Sequence, residues 1–245
     1  MNEKEKVWFD AIERARRVPA GISTGNEKTG IPSFNLLAGS CAHAYDGASG
    51  LGICPCAGAC NCDCPGCYAK KCTRFPAVFA RYLVNTETAR TDPDACARAV
   101  VEWVRRKRKK PRFFRLHDSG DFVSLEYMES MDRAAQEIAA QGVTMYTYTK
   151  RIDLVKEFIK KHGRAPAFTL NLSTWPGIVE AADLAAAGLL MFPRFEYDDG
   201  TRPELASVHH CPAVDAQGNR TGTPCKDCGR CALAGAGNIW AVYAH

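Results

Sequence analysis

The sequence predicts an α/β fold: a partial (β/α) TIM-like barrel with a cysteine-rich N-terminal loop and a small C-terminal metal-cluster appendage. Three observations carry this reading. Strand-like and helix-like segments alternate from Arg112 to Phe192 with short connections, the pattern of a parallel sheet joined by right-handed crossovers. About five or six such units fit, fewer than the eight of a closed barrel. Cysteines crowd two stretches that lack hydrophobic periodicity, seven of the thirteen between Cys54 and Cys72 and four between Cys211 and Cys231. Metal, rather than packing, is expected to order those stretches.

The elements follow in order. Residues 3–18 read as an amphipathic helix ending before Pro19, and 19–33 as a loop rich in Gly, Ser, Thr and Pro. Phe34 to Leu37 is a short strand, and 38–72 is the cysteine-rich loop. Helical patterns cover 75–90 and 93–110, the second entered through Thr91-Asp92-Pro93, where proline suits a first turn. Arg112 to His117 is a strand, and Ser124 caps a helix reaching Gln141. Thr144 to Thr149 alternates cleanly with period two. Ile152 to Lys161 is a helix stopped at Gly163, Ala167 to Leu172 a strand, Ile178 to Ala187 a helix closed by Gly188, and Leu189 to Phe192 the next strand. From about Asp198 to Arg230 the chain turns polar and rich in Gly, Pro and Cys. The expected division is therefore 1–197 for the partial barrel and 198–245 for the appendage.

A chain of 245 residues, 46% hydrophobic, can bury a sizeable core. No apolar run is long enough to span a bilayer. Met1 to Arg17 is charged and lacks the apolar region of a signal peptide, so a cytoplasmic protein without a membrane partner is expected. Closely spaced steps such as Cys60-Asn61-Cys62-Asp63-Cys64 are awkward for disulfides, and cytosolic cysteine clusters favour metal or redox roles. The net charge of +5 is a mild excess. Its one dense run, Arg105 to Lys110, suits phosphate contact but more simply complements the dipole at a helix C-terminus.

Cys60, Cys64 and Cys67 read C-x3-C-x2-C. Three thiolates from one loop hold three irons of a 4Fe–4S cluster and leave the fourth open to a small molecule, which is the pattern of radical S-adenosylmethionine chemistry. Cys41, Cys54, Cys56, Cys62 and Cys72 are left over; they fit a further metal or a different triad such as Cys56, Cys60 and Cys64. Downstream, Cys211 joins the C-x2-C-x2-C turn of Cys225, Cys228 and Cys231. That arrangement is closer to a fully ligated iron–sulfur cluster than to paired zinc knuckles, with zinc as the alternative. Cys96 reads as core.

Parallel α/β sheets place ligands at the C-terminal ends of their strands. Here those ends are polar: Arg115-Leu116-His117-Asp118-Ser119-Gly120-Asp121-Phe122, then Tyr148-Thr149-Lys150, then Leu170-Asn171-Leu172-Ser173. His117, Asp118 and Asp121 are the candidate catalytic groups, and Gly120 permits close backbone approach.

These same segments carry two resemblances. Phe34-Asn35-Leu36, Cys67-Tyr68-Ala69, the Arg115 to Phe122 segment, Tyr148-Thr149-Lys150, and Cys211-Pro212 with Cys225 to Cys231 resemble the phage "gene product eighty-eight" family, in order and across most of the chain. At superfamily level the chain resembles radical S-adenosylmethionine enzymes, in which a partial barrel carries the cluster loop after its first strand. In those enzymes an acidic, Gly-rich segment after the second strand binds the methionine amino group. The resemblance implies that Tyr68, Ser119, Gly120 and Asp121 sit around the cofactor, with Lys150, Asn171 and Ser173 toward its ribose or carboxylate. Gly66 stands where the usual aromatic precedes the third cysteine.

The expected function is thus reductive cleavage of S-adenosylmethionine to a 5′-deoxyadenosyl radical that modifies a substrate, with a nucleotide or nucleic-acid base as the leading class. A flavodoxin or ferredoxin would supply the electron. Two other functions compete with it. One is a nonenzymatic, metal-stapled module that binds nucleic acid or protein. The other is a metal-dependent hydrolase or nuclease using His117, Asp118 and Asp121.

Overall fold

The computed structural model describes residues 3–18, 20–25, 29–38, 74–174, 179–198, 203–213, 215, 219 and 221–243. Its centre is a seven-stranded sheet of β1 (Ser33–Phe34), β2 (Phe113–Leu116), β3 (Thr144–Thr149), β4 (Thr169–Thr174), β5 (Arg194–Asp198), β6 (His209–His210) and β7 (Ile239–Tyr243). The spatial order is β1-β2-β3-β4-β5-β7-β6, and every pair is parallel. Among the described residues β1, whose Ser33 also bridges Ser23, and β6 are the end strands and do not pair with each other, so the sheet is not closed. The helices are α1 (Glu3–Arg16), α2 (Pro76–Thr91), α3 (Pro93–Arg106), α4 (Leu125–Ala139), α5 (Ile152–His162), α6 (Ala181–Ala186) and the single turn α7 (Cys225–Cys228). None is long and apolar enough to cross a membrane.

Local chemistry sets the helix ends. Asp92 accepts from Ala95 N at 2.9 Å and starts α3, and Ser124 Oγ accepts from Tyr127 N at 3.2 Å at the start of α4. Such caps satisfy backbone donors that have no partner inside the helix. Gly163 ends α5 in the left-handed conformation. Helix α3 stops at Arg106, short of the expected 110, and Lys110 Nζ turns back to the carbonyls of Val104 and Arg105 at 2.9 and 2.8 Å. At least this end of the basic run serves the helix terminus.

Period-two alternation divides each strand between two faces. Phe114, Leu116, Met145, Leu170 and Leu172 join the main core, packed with Val100 and Val104 of α3, Met128, Met131 and Ile138 of α4, and Leu154, Val155 and Phe158 of α5. A smaller core joins α1 and α2 over Leu37 and Ala38. On the other face Phe113 and Tyr146 pack with Ile31 and Ala232, and Tyr148, Cys225 and Cys231 lie against them.

Beyond shifts at the ends of several elements, two larger differences from expectation stand out. The fifth strand is Arg194–Asp198, not Leu189–Phe192. Leu189 N bonds back to Leu184 O at 2.8 Å and closes α6. Pro193, which has no N–H to give the ladder, stands just before the strand. The C-terminal segment also returns to the sheet rather than standing apart. β7 inserts between β5 and β6, paired with β5 from Arg194↔Ile239 to Asp198↔Tyr243.

Candidate functional site

After β2 the chain turns at His117, whose φ is +63°. The ring is 3% exposed. Its Nε2 lies 3.1 Å from the Tyr127 hydroxyl and its Nδ1 3.5 Å from Thr147 Oγ1, with Phe122 edge-on at 4.9 Å. Burial, assisted by the charge of Arg115, lowers its pKa to about 3, so the imidazole is neutral at pH 7.

Asp118 faces the other way. It pairs with Arg115 at 2.8 Å and accepts from Ser33 Oγ at 3.0 Å. Asn35 completes the link, donating to Ser33 Oγ and accepting from Asp118 N at 2.7 Å. Asp118 thus ties the end of β2 to β1.

Ser119 and Gly120 press against the chain that follows β1. Leu36 N donates to Ser119 O at 2.9 Å. Gly120 has φ +83°, and a Cβ there would stand 2.6 Å from Leu36 Cβ. The close approach that demands glycine is to Leu36. Ser119 Oγ is buried with no partner among the described residues.

Asp121 is 4% exposed, and its carboxylate accepts from Thr149 Oγ1 at 2.6 Å, Phe122 N at 2.8 Å and Lys150 N at 2.9 Å. Burial raises its pKa and the three hydrogen bonds oppose the rise. It joins the end of β2 to the turn between β3 and α5. His117, Asp118 and Asp121 therefore share one turn while each carboxylate and the imidazole is engaged within the protein.

The opposite face of the sheet gathers a second set. Cys211, Cys225, Cys228 and Cys231 line one pocket with Arg115, Tyr146, Tyr148, Phe195 and Trp240. No disulfide joins the described cysteines. Among the described residues no group of three or more His, Cys, Asp or Glu is arranged to hold a metal ion.

Each thiol has a local reason for its place. Cys211 N donates to Ala241 O at 2.8 Å, extending the β6–β7 pairing. The turn α7 sets Cys225 and Cys228 three residues apart, on one side. Gly229, at φ +64°, reverses the chain toward Cys231, and a Cβ there would stand 2.6 Å from the Phe113 ring. Thr169 Oγ1 donates to Ala232 O at 2.7 Å, and Asn171 Nδ2 donates to Cys231 O at 3.0 Å and Thr147 O at 3.1 Å. Lys226 N donates to Thr29 O at 3.0 Å. Burial pushes the Cys231 thiol up to about 11, while hydrogen bonding to Tyr148 and the charge of Arg115 act against the rise.

The predicted positions thus divide. Asn171 joins the cysteine pocket through Cys231, whereas Asp121 and the backbone of Lys150 form the turn at the end of β3. Ser173, half-buried, follows Asn171 on the same side of β4. Cys96 is buried in the core, its thiol pushed up to about 12 by burial. Cys60, Cys64, Cys67 and Tyr68, with Cys41, Cys54, Cys56, Cys62 and Cys72, lie outside the described residues. Thr169 and Trp240 were not among the expected site residues. Alternation within Thr169–Ser173 and the apolar run Ile239–Tyr243 are the signals that mark them.

No curated protein and no solved structure matches the chain. The family model described as Gene product 88 matches residues 20–234, and the chain belongs to that family.

Proposed function

We propose that this protein is an iron–sulfur enzyme of the radical S-adenosylmethionine type, built on a partial barrel. The observation that carries the reading is the order β1 to β5 in a parallel sheet, with the Cys60, Cys64 and Cys67 segment after β1 and Ser119-Gly120-Asp121 after β2. On this reading the face of the sheet that carries Arg115, Tyr146 and Tyr148 is the interior of the partial barrel, and the four C-terminal cysteines line a pocket on that face.

The donor set there fits a cysteine-ligated cluster: four thiols, aromatic walls, the Arg115 cation, the Tyr148 hydroxyl, and the buried Trp240 Nε1 with no partner among the described residues. Four cysteines lining one pocket match the ligand count of a fully cysteine-ligated cluster, which Cys211, Cys225, Cys228 and Cys231 would hold.

When bound, the open-iron cluster and S-adenosylmethionine would supply a 5′-deoxyadenosyl radical. The chain's own part is to hold and shield. Ser119 Oγ, Lys150 and Ser173 stand at or near the C-terminal ends of β2, β3 and β4, where the cofactor's polar groups would be met. Asp121, whose oxygens are engaged by Thr149, Lys150 and Phe122, fixes the shape of that rim. The neutral, buried His117 and the engaged Asp121 weigh against a hydrolase built on this turn.

The test is the EPR spectrum of the reconstituted, reduced protein on adding S-adenosylmethionine. A changed spectrum in the wild type and no change in Cys64→Ala supports the reading. An unchanged wild-type spectrum from an iron-loaded protein contradicts it.

A further inference from the structure

We propose that Trp240 is a hydrogen-bond donor to the sulfurs of the centre held by Cys211, Cys225, Cys228 and Cys231, and that with Tyr148 it sets that centre's reduction potential. This rests on the iron–sulfur reading of the four-cysteine pocket.

Trp240 is placed for the role by the β5-β7-β6 insertion. Its strand neighbours are Phe195 on β5 and His209 on β6, and the His209 ring lies 5.7 Å from its own. The Arg230 guanidinium sits 5.6 Å from the indole centroid. The ring lines the pocket with all four cysteines. Its Nε1 is buried with no acceptor among the described residues, the thiols included. A buried indole N–H nearly always finds an acceptor. The acceptor is therefore assigned to the sulfur of the centre that the thiols hold. Metal-bound sulfur is anionic and accepts more strongly than a neutral thiol.

Tyr148 lines the same pocket as the four cysteines, its ring under the Arg115 guanidinium at 4.8 Å. Donors and positive charge around an iron–sulfur centre stabilise its more negative, reduced state and so raise the potential. Removing the indole N–H while keeping the ring's bulk lowers it.

The experiment is an EPR-monitored dithionite titration of the full-length, anaerobically reconstituted protein, in a background of Cys60→Ala, Cys64→Ala and Cys67→Ala that leaves only the C-terminal signal. Trp240→Phe is expected to keep its iron and sulfide while its reduction equilibrium falls about tenfold, near 59 mV for one electron. Tyr148→Phe shifts it in the same direction. In D2O the parent shows exchangeable deuteron couplings of which Trp240→Phe loses the indole's and keeps the Tyr148 hydroxyl's. An iron-loaded Trp240→Phe with unshifted midpoint overturns the proposal. Should that variant fail to fold, 15N-indole labelling of the parent decides: nitrogen and deuteron couplings support the assignment, and their absence overturns it. A parent that takes up no iron at the C-terminal cysteines removes the iron–sulfur reading itself, and this inference with it.

Discussion

Asn171 of β4 donates through Nδ2 to the carbonyl of Cys231 at 3.0 Å, so the middle of the sheet holds the last cysteine of the C-terminal set directly. The same amide group donates to Thr147 O on β3, and Thr169, two residues earlier on β4, makes a similar link to Ala232 O. The cysteine turn is thus docked by strand side chains rather than hung from a linker. Asn171→Ala removes both hydrogen bonds from a buried position and is expected to cost about 1–3 kcal/mol. Urea denaturation measures that loss.

Gly120 and Gly142 separate two costs of replacing a glycine. Both have positive φ, +83° and +77°, but a Cβ on Gly120 meets Leu36 at 2.6 Å while one on Gly142 meets nothing within 4 Å. Gly142→Ala is expected to lose about 1 kcal/mol for the left-handed conformation alone. Gly120→Ala adds overpacking against Leu36 and should lose about 2–4 kcal/mol. Equal losses in denaturant titrations would show that the approach to Leu36 is relieved at no cost.

The buried imidazole of His117 makes stability depend on pH. Its folded pKa, near 3, lies below its unfolded value, so between these values the unfolded chain binds the extra proton. The stabilisation is present above the unfolded pKa, about 6.5, and is lost as pH falls below it. From pH 7 to pH 5 the expected loss is about 2 kcal/mol. Asp121, with its pKa raised by burial, acts in the opposite direction where it titrates. The comparison is therefore with His117→Asn, since asparagine tolerates the +63° φ and does not titrate. The variant's stability should fall less over the same interval.

Docking by Asn171, Thr169 and the Lys226 N to Thr29 O bond does not involve the thiols. Cys228→Ala is therefore expected to fold, with far-UV circular dichroism unchanged, and to take up less iron on reconstitution if the proposed C-terminal cluster forms. A chain that unfolds without that thiol would mean the metal supplies the folding energy of the segment.

Local signals account for what was legible in the sequence. Alternation and caps placed β2, α4, β3, α5 and β4, because Ser124, Gly163 and the period of Thr144–Thr149 act within a few residues of themselves. The slip from Leu189–Phe192 to Arg194–Asp198 turns on one backbone bond, Leu189 N to Leu184 O, which closes α6 before a strand can begin. The insertion of β7 between β5 and β6 is a choice of distant partners, and the run Ile239–Tyr243 carries no mark of where it will pair. At the site, the cysteine spacing pointed to the C-terminal set that lines one pocket. That Asp121 spends its oxygens on Thr149 and Lys150, and that Trp240 reaches the same pocket as Cys231, depends on tertiary placement that spacing does not encode.

The most direct test of the radical reading is a single anaerobic assay. The protein is reconstituted with iron and sulfide, reduced, given S-adenosylmethionine, and examined for 5′-deoxyadenosine, with Cys64→Ala alongside. The account predicts 5′-deoxyadenosine from the parent and none from the variant. Stoichiometric zinc with no iron uptake, or equal product from parent and variant, would contradict it.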